Sequence, residues 1–511
     1  MPKRTTGSGK AGKPANPDHA ATPSPRVSAQ VEAKVPAGTP AAGAPLPEIN
    51  DFPTAVRYLY DRVDLERARP TPELRDQYKL DRMRAILAEL GDPQDAIRTV
   101  HVAGTKGKGS TCEMTAACLE ACGYTVGLFT SPHIVSILER IRLNRRNIPE
   151  ADFTAALRRA AAAALRVAPR HGDATFFELT TAMGFLYFVE QAVDVAVVEV
   201  GLGGLLDCTN VIRPEVTAIT TIGHDHTQIL GNTLAEIAAQ KAGILKPGVP
   251  ALTVVQEPEA AKVIKETAQA VGAPLEVVGE DVDFSFRFEW QGGTATLRVN
   301  FSSGPYALEH VTVPLRGEHQ AINCGLALAI VAKLAAHGFH CPEEKVLRGL
   351  ATTKLPGRFE VAWDSPRVLL DGAHNPESIR ALIKAIGAYL TYDSLVVVFG
   401  CAADKDIETM LRHLASGADK VIFTKSNTPR AANPDDLARR YSDISGKGCQ
   451  SAPTFKDALE LAARSADRDD LICVTGSFYL VGEAKARLAE VAAKKAEKAG
   501  PGGRATGPRR A

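Results

Sequence analysis

Apolar positions along this chain fall into two rhythms. Short continuous runs rich in Val, Ile and Ala recur: "IRTVHVA" (97–103), "YTVGLFTS" (124–131), "VDVAVVEV" (193–200), "EVTAITTI" (215–222) and "VPALTVV" (249–255). Longer Ala- and Leu-rich segments separate them. A strand covered on both faces reads as an unbroken apolar run. Such strands alternating with helices predict a parallel sheet between two helical layers. Residues 283–315 alternate apolar and polar with period two around Gly292-Gly293, which predicts antiparallel hairpins. A helix is predicted next, over "HQAINCGLALAIVAKLAAHG", closed by Gly338. After "KLPGRFE" (354–360) the alternation restarts with "RVLLDGAHNPES", "SLVVVFGC", "KVIFTK" and "DLICVTGSFYL".

These rhythms divide the chain. Residues 1–48 are rich in Pro, Ala, Gly, Ser and Thr and bury too little to offset ordering, so a disordered extension is expected. They hold no apolar core of a signal peptide. Residues 49–353 form the first globular unit, 354–363 a linker, 364–490 a smaller second α/β unit, and 491–511 a basic, flexible tail. At 511 residues one core is not expected to suffice.

Composition narrows the classes. A net charge of +1 argues against an electrostatic grip of the whole protein on nucleic acid or an anionic membrane. No run of about 18 apolar residues predicts a membrane span. The 9 cysteines are scattered without C-x-x-C pairs, so neither a disulfide framework nor a zinc site is expected, and a reducing cytoplasm fits.

Candidate chemistry begins at "HVAGTKGKGST" (101–111). It stands between a predicted strand and a predicted helix, where backbone N–H groups and the helix terminus can cradle phosphate. The spacing departs from G-x-x-x-x-G-K-[ST]: Val102 stands at the first glycine and Gly109 separates Lys108 from Ser110. The plainer alternative is a glycine turn with its lysines in water. Ligands of open parallel sheets bind beyond the carboxyl ends of strands. Three more strands end usefully there: at Thr130, Ser131 and His133, at Glu199, and at Asp225 and His226. Oxygen ligands from Ser131 and Glu199 suit Mg²⁺. Glu199 could instead cap the "GLGG" turn, and His226 could be an oriented polar residue. Lys241 alone reads as a solvated cation.

Taken together the motifs resemble the dihydrofolate synthase and folylpolyglutamate synthase family of the Mur ligase superfamily. The likeness runs from about residue 50 to 485, through "GTKGKGS", "TSPH", "ERIRLN", "TFFELTTA", "EVGLGGLLDCTN", "DHTQILG", "QKAGILKPG", "LPGRFE", "DGAHNP" and "GSFYLVGE". It implies an α/β fold: a P-loop-type, mostly parallel sheet with a small antiparallel section, then a smaller Rossmann-like unit. It implies that ATP phosphorylates a carboxylate of a pterin-bearing substrate, dihydropteroate or a tetrahydrofolate. The amine of L-glutamate then displaces phosphate from the acyl phosphate to form an amide. Both activities are expected in one monomeric, cytoplasmic enzyme that uses ATP and Mg²⁺.

The resemblance also assigns residues. Gly104, Thr105, Gly107, Lys108, Gly109 and Ser110 match the ATP loop, and Asn323, Arg358 and Asp371 match positions that hold the nucleotide. Ser131, Glu199 and His226 match magnesium ligands. Lys241 matches a lysine carbamylated in the family, and Lys108, Lys241 and His374 carry the catalytic expectation. Thr175, Phe176, Phe177 and Glu178 fall in the pterin stretch, and His374 and Ser477 near the glutamate pocket; the two Phe could equally be plain core. Three positions depart: Lys106 replaces a usual Asn, Leu205 a usual Arg, and His224 an apolar residue. A Mur-type ligase with another acceptor is the alternative. A P-loop switch is a further one, but it leaves Lys241 and the second unit without a purpose.

Overall fold

The computed structural model describes residues 48–64, 80–291, 294–313 and 315–499. Residues 1–47 of the expected disordered extension (1–48), the end of the expected tail (500–511) and the Gly292-Gly293 turn lie outside the described residues.

The first sheet has eight strands: β1 (Thr99–Ala103), β2 (Val126–Phe129), β3 (Ile141–Leu143), β4 (Arg146–Asn147), β5 (Val195–Glu199), β6 (Val216–Ile219), β7 (Ala251–Val254) and β8 (Leu275–Val278). Their order is β4-β3-β2-β5-β1-β6-β7-β8. The six from β2 to β8 pair in parallel, while β3 and β4 add an antiparallel edge. Side chains alternate across the sheet. Val195 and Val197 enter one core, with α1 (Lys108–Cys122). Ala196 and Val198 enter another, with α2 (Phe176–Glu190). Both faces are dry, so residues 195–198 are apolar without a break, and each fully buried Val contributes about 1.5–3 kcal/mol. After β6 the chain forms α3 (Leu234–Ala242).

Strands β9 (Asp283–Gln291), β10 (Thr294–Ser303) and β11 (Tyr306–Val313) form the antiparallel section. Its buried face, including Leu297, Val299 and Phe301, packs into the same core as α4 (Glu318–Ala336). By length and composition α4 could cross a bilayer, with a mean hydropathy of 1.3, but 72% of that window is buried within the fold. Being apolar all round is what a central helix requires.

The second sheet comprises β12 (Glu360–Asp364), β13 (Arg367–Leu370), β14 (Leu395–Phe399), β15 (Lys420–Phe423), β16 (Gln450–Ser451) and β17 (Leu471–Thr475), in the order β12-β13-β17-β14-β15-β16. All pairs are parallel except β12 with β13. Strand β12 starts inside the stretch expected as linker. Helix α5 (Pro376–Tyr389) follows β13, and α6 (Phe478–Ala499) follows β17. Within the stretch expected as a tail from 491, α6 continues through 491–499.

Candidate active site

The loop after β1 is held at both ends. The N–H groups of Thr105 and Lys106 both donate to Thr221 O, at 3.0 and 3.1 Å. Gly104 has φ +141°, and a Cβ there would stand 1.8 Å from Thr220 Oγ1. Gly107 has φ +94°, and a Cβ there would meet Asn323 Oδ1 at 2.1 Å. Gly107 precedes α1 and offers no side-chain cap, so the first-turn N–H groups are left for an anion. The extra glycine has a spatial reason too. A Cβ on Gly109 would lie 3.2 Å from Arg358 Nη2 and 3.4 Å from Glu199 Oε2.

Three charged groups meet beside this loop. Lys108 Nζ and Lys241 Nζ both donate to Gly104 O, at 3.2 and 2.8 Å. Lys241 is 4% exposed; burial, reinforced by the Lys108 charge, pushes its pKa down to about 7. Glu199, at the end of β5, is buried, and its Oε2 accepts the Ser131 N–H at 3.1 Å. Burial raises its pKa, against the pull of Lys108, the Ser131 N–H and Arg358. His226 sits at φ +49°. Burial pushes its imidazole down to about 4, with Lys405, Lys241 and Lys108 adding to burial and Asp225 opposing. It is therefore neutral at neutral pH, with a lone pair to offer.

The second sheet supplies the opposite wall. Asp371, at the end of β13, accepts N–H groups of Phe359 (2.8 Å) and Ala373 (2.9 Å), which folds the linker against the "DGAHNP" turn. His374 Nδ1 lies 2.8 Å from Gly372 O, the geometry of an N–H donating to a carbonyl. This turns Nε2 toward Asp225 Oδ2, 3.7 Å away. Ser477 stands just before α6 and accepts the Tyr479 N–H at 3.2 Å. Arg358 lies over the Phe478 ring at 5.0 Å.

One cavity of about 520 Å³ spans both sheets. The expected loop residues, Ser131, Glu199, His226, Lys241, Asn323, Arg358, Asp371, His374, Ser477, Thr175 and Phe177 all line it. Phe176 and Glu178 are not among its walls. Phe176 is fully buried, stacked on Tyr60 at 5.5 Å and beneath the Arg140 guanidinium at 5.0 Å. Glu178 closes a capping box with Thr175 at the start of α2 and pairs with buried Arg82 at 2.8 Å. The structure thus places these two expected substrate residues in core packing and helix capping, away from the cavity walls. His133 likewise turns inward, where Arg140 Nε donates to its Nδ1 at 2.9 Å.

The structure adds wall residues that sequence reasoning missed. Lys405, after β14, reaches Asp225 Oδ1 at 2.7 Å across the cleft. Arg430, after β15, pairs with Asp404 at 2.7 Å. His319 and Gln320 come from the first turn of α4. Applying the strand-end rule to the second sheet as well as the first would have found Lys405.

Comparisons with known proteins agree with this layout. The description "Mur ligase middle domain" matches residues 102–331, and "Mur ligase, glutamate ligase domain" matches 357–478. A dihydrofolate synthase/folylpolyglutamate synthase of Bacillus subtilis is 36% identical over 412 residues, 80% of this chain and 94% of that protein. The Escherichia coli protein of the same name is 34% identical, over 79% of this chain and 89% of its own length. Among solved structures, Mycobacterium tuberculosis folylpolyglutamate synthase complexed with ADP and AMPPCP superposes with a TM-score of 0.75 at 31% identity. That match covers 85% of this chain and 99% of the other. Escherichia coli FolC in complex with DHPP and ADP gives 0.74 at 30% identity, covering 88% and 100%. The chain belongs to the dihydrofolate synthase/folylpolyglutamate synthase family of Mur ligases and is an ATP-dependent, ADP-forming glutamate ligase.

Proposed function

We propose that the cavity joins L-glutamate to the carboxyl group of dihydropteroate and of tetrahydrofolates, through an acyl phosphate. One observation carries the reading. The phosphate loop and Glu199 of the first sheet, and His374 and Ser477 of the second, face one 520 Å³ cavity. That arrangement suits passing a phosphorylated carboxylate to an amine without water intervening.

In this reading the loop N–H groups and Lys108 hold the ATP phosphates, with Asn323, Arg358 and Asp371 around the nucleotide. A carboxylate oxygen of the acceptor attacks the γ-phosphorus, and ADP leaves. The glutamate amine then attacks the acyl carbon, phosphate departs and an amide remains. His374 faces the cleft with Nε2, placed to take the proton the amine loses; Asp225 at 3.7 Å would favour the resulting imidazolium. Thr175 and Phe177 border the acceptor, and Ser477 the glutamate.

The donor chemistry also fits Mg²⁺. Among the described residues no group of three or more His, Cys, Asp or Glu gathers as an ion cage. Mg²⁺ commonly takes only one or two carboxylates beside substrate phosphates, and buried Glu199 next to Ser131, with neutral His226 lining the same cavity, offers such a partial set. When bound, the ion would neutralise charge on the transferring phosphoryl group. Lys241, neutral in part near pH 7, has the free amine that reacts with CO₂, which supports a carbamate there. The nine cysteines are all free, which suits a reducing cytoplasm, and a monomer is the proposed state.

Purified protein with ATP and L-glutamate, supplied with dihydropteroate or a tetrahydrofolate separately, tests the reading. The expected result is ADP release that needs both glutamate and acceptor, and products one glutamyl residue heavier by mass. ATP hydrolysis indifferent to both would overturn it.

A further inference from the structure

Lys106 is the departure in the phosphate loop that the reaction does not use. Its backbone is fixed: its N–H donates to Thr221 O at 3.1 Å, next to Thr105 on the same oxygen. The side chain therefore leaves the loop in a set direction, and its Nζ forms an ion pair with Glu377 Oε2 across the cleft. Glu377 is equally fixed. It sits in the first turn of α5, whose start is held by the Asn375–Ser378 capping box. Arg380, one turn further along α5, repels Lys106, and Asp225 attracts it.

A second pair crosses the same cleft with opposite polarity. Asp225 of the first-sheet lobe meets Lys405 of the second-sheet lobe at 2.7 Å. One lobe thus supplies a cation at one point and an anion at the other. A slide or rotation that exchanged the partners would set Lys106 against Lys405 and Asp225 against Glu377. Opposed polarity at two points admits one register and penalises the others. All four residues border the cavity, so the register they set is that of the glutamate wall over the phosphate loop.

We infer that Lys106 and Glu377 form a clasp that positions the second-sheet lobe over the phosphate loop, making Lys106 a positioning residue for glutamate addition and not a phosphate ligand. The inference rests on the ligase reading above. The pair is partly open to solvent, with side-chain exposures of 29% and 57%, so its effect is modest and sensitive to salt.

Charge reversal tests it on the full chain. Lys106→Glu and Glu377→Lys should each raise the KM for glutamate about threefold to fivefold. The double reversal should return it close to the wild-type value. ADP affinity, measured by titration, should be unchanged in Glu377→Lys, and high salt should shrink the coupling between the two sites. A double reversal as impaired as Lys106→Glu alone, together with weakened ADP binding, would assign Lys106 to the phosphates and overturn the clasp. So would a Glu377→Lys variant identical to wild type. Wild-type protein showing no glutamate-dependent ADP release would sink the ligase reading and the clasp together. An active wild type with additive single effects sinks the clasp alone.

Discussion

In "AAQKAGILKPG" Lys241 reads as a surface cation, yet it is 4% exposed and shares the Gly104 carbonyl with Lys108. Burial followed by the Lys108 charge lowers its pKa from 10.5 to about 7. The sign follows from proton counting. Between about pH 7 and the unfolded value the unfolded chain holds a proton the folded chain has lost, so this site makes stability rise with pH across that window. The same neutral amine can bind CO₂. Activity should therefore fall when CO₂ is stripped from the buffer at or below pH 7 and return with bicarbonate. Labelled bicarbonate should give a carbamate NMR signal that Lys241→Ala lacks. Full activity in Lys241→Ala would refute the carbamate. Gly104 makes a complementary case. With φ +141° and a would-be Cβ 3.0 Å from Thr220 N, Gly104→Ala strains backbone against backbone. It should cost roughly 1–3 kcal/mol of stability and raise the KM for ATP, read by thermal melts and kinetics. Residue type at these positions could be read from the sequence, but environment could not. Spacing showed a glycine loop and a lysine; only the fold shows that one carbonyl accepts from two lysine side chains.

At the scale of elements, the legible strands were those buried on both faces. The mainly apolar runs 97–103 and 193–200 contain β1 and β5, whose five residues each are all buried. The edges escaped detection for a physical reason: β4 and β16 have two residues each, both exposed, and carry no hydrophobic pattern at all. Helix α2 shows the opposite problem. "TFFELTTA" holds a family motif and a capping box in the same letters, and the structure uses Thr175 and Glu178 for the cap. Glu178 also neutralises Arg82, which is 2% exposed. Glu178→Leu should therefore act on folding: it removes the carboxylate that pairs with a buried guanidinium, at a cost of about 3–5 kcal/mol. A large drop in the urea midpoint with little change in acceptor KM is the expected pattern. A raised acceptor KM at unchanged stability would instead return Glu178 to the substrate.

For the whole molecule, the restart of the αβ rhythm after "KLPGRFE" announced a second sheet, but nothing in the pattern gave the strand order or the way the sheets share a cavity. What joins them is mixed. An apolar contribution comes from Tyr389 of α5, whose ring meets Phe359 at 6.0 Å and Phe288 at 6.1 Å, and whose hydroxyl accepts the Gly317 N–H at 3.3 Å. A polar contribution comes from Asp225, whose carboxyl stays well below the usual range. Burial alone would raise it, but the His374 imidazole 3.7 Å away and the Lys405 ammonium at 2.7 Å outweigh it. This carboxylate stays ionised well into acid, so it adds nothing to the pH response of the cleft near neutrality, where Lys241 and Lys106, pushed down by burial to about 7 and about 8, change charge. Lys405→Met discriminates between the two kinds of join. Lys405 and Asp225 are 14% and 12% exposed, so solvent compensates part of the loss and about 1–3 kcal/mol should go from the junction. If the charge pair sets the junction, calorimetry of Lys405→Met should resolve two transitions where wild type shows one, because each sheet keeps its own buried core. If the aromatic contacts around Tyr389 dominate, the single transition should persist with a small downward shift, and Tyr389→Ala should split it instead.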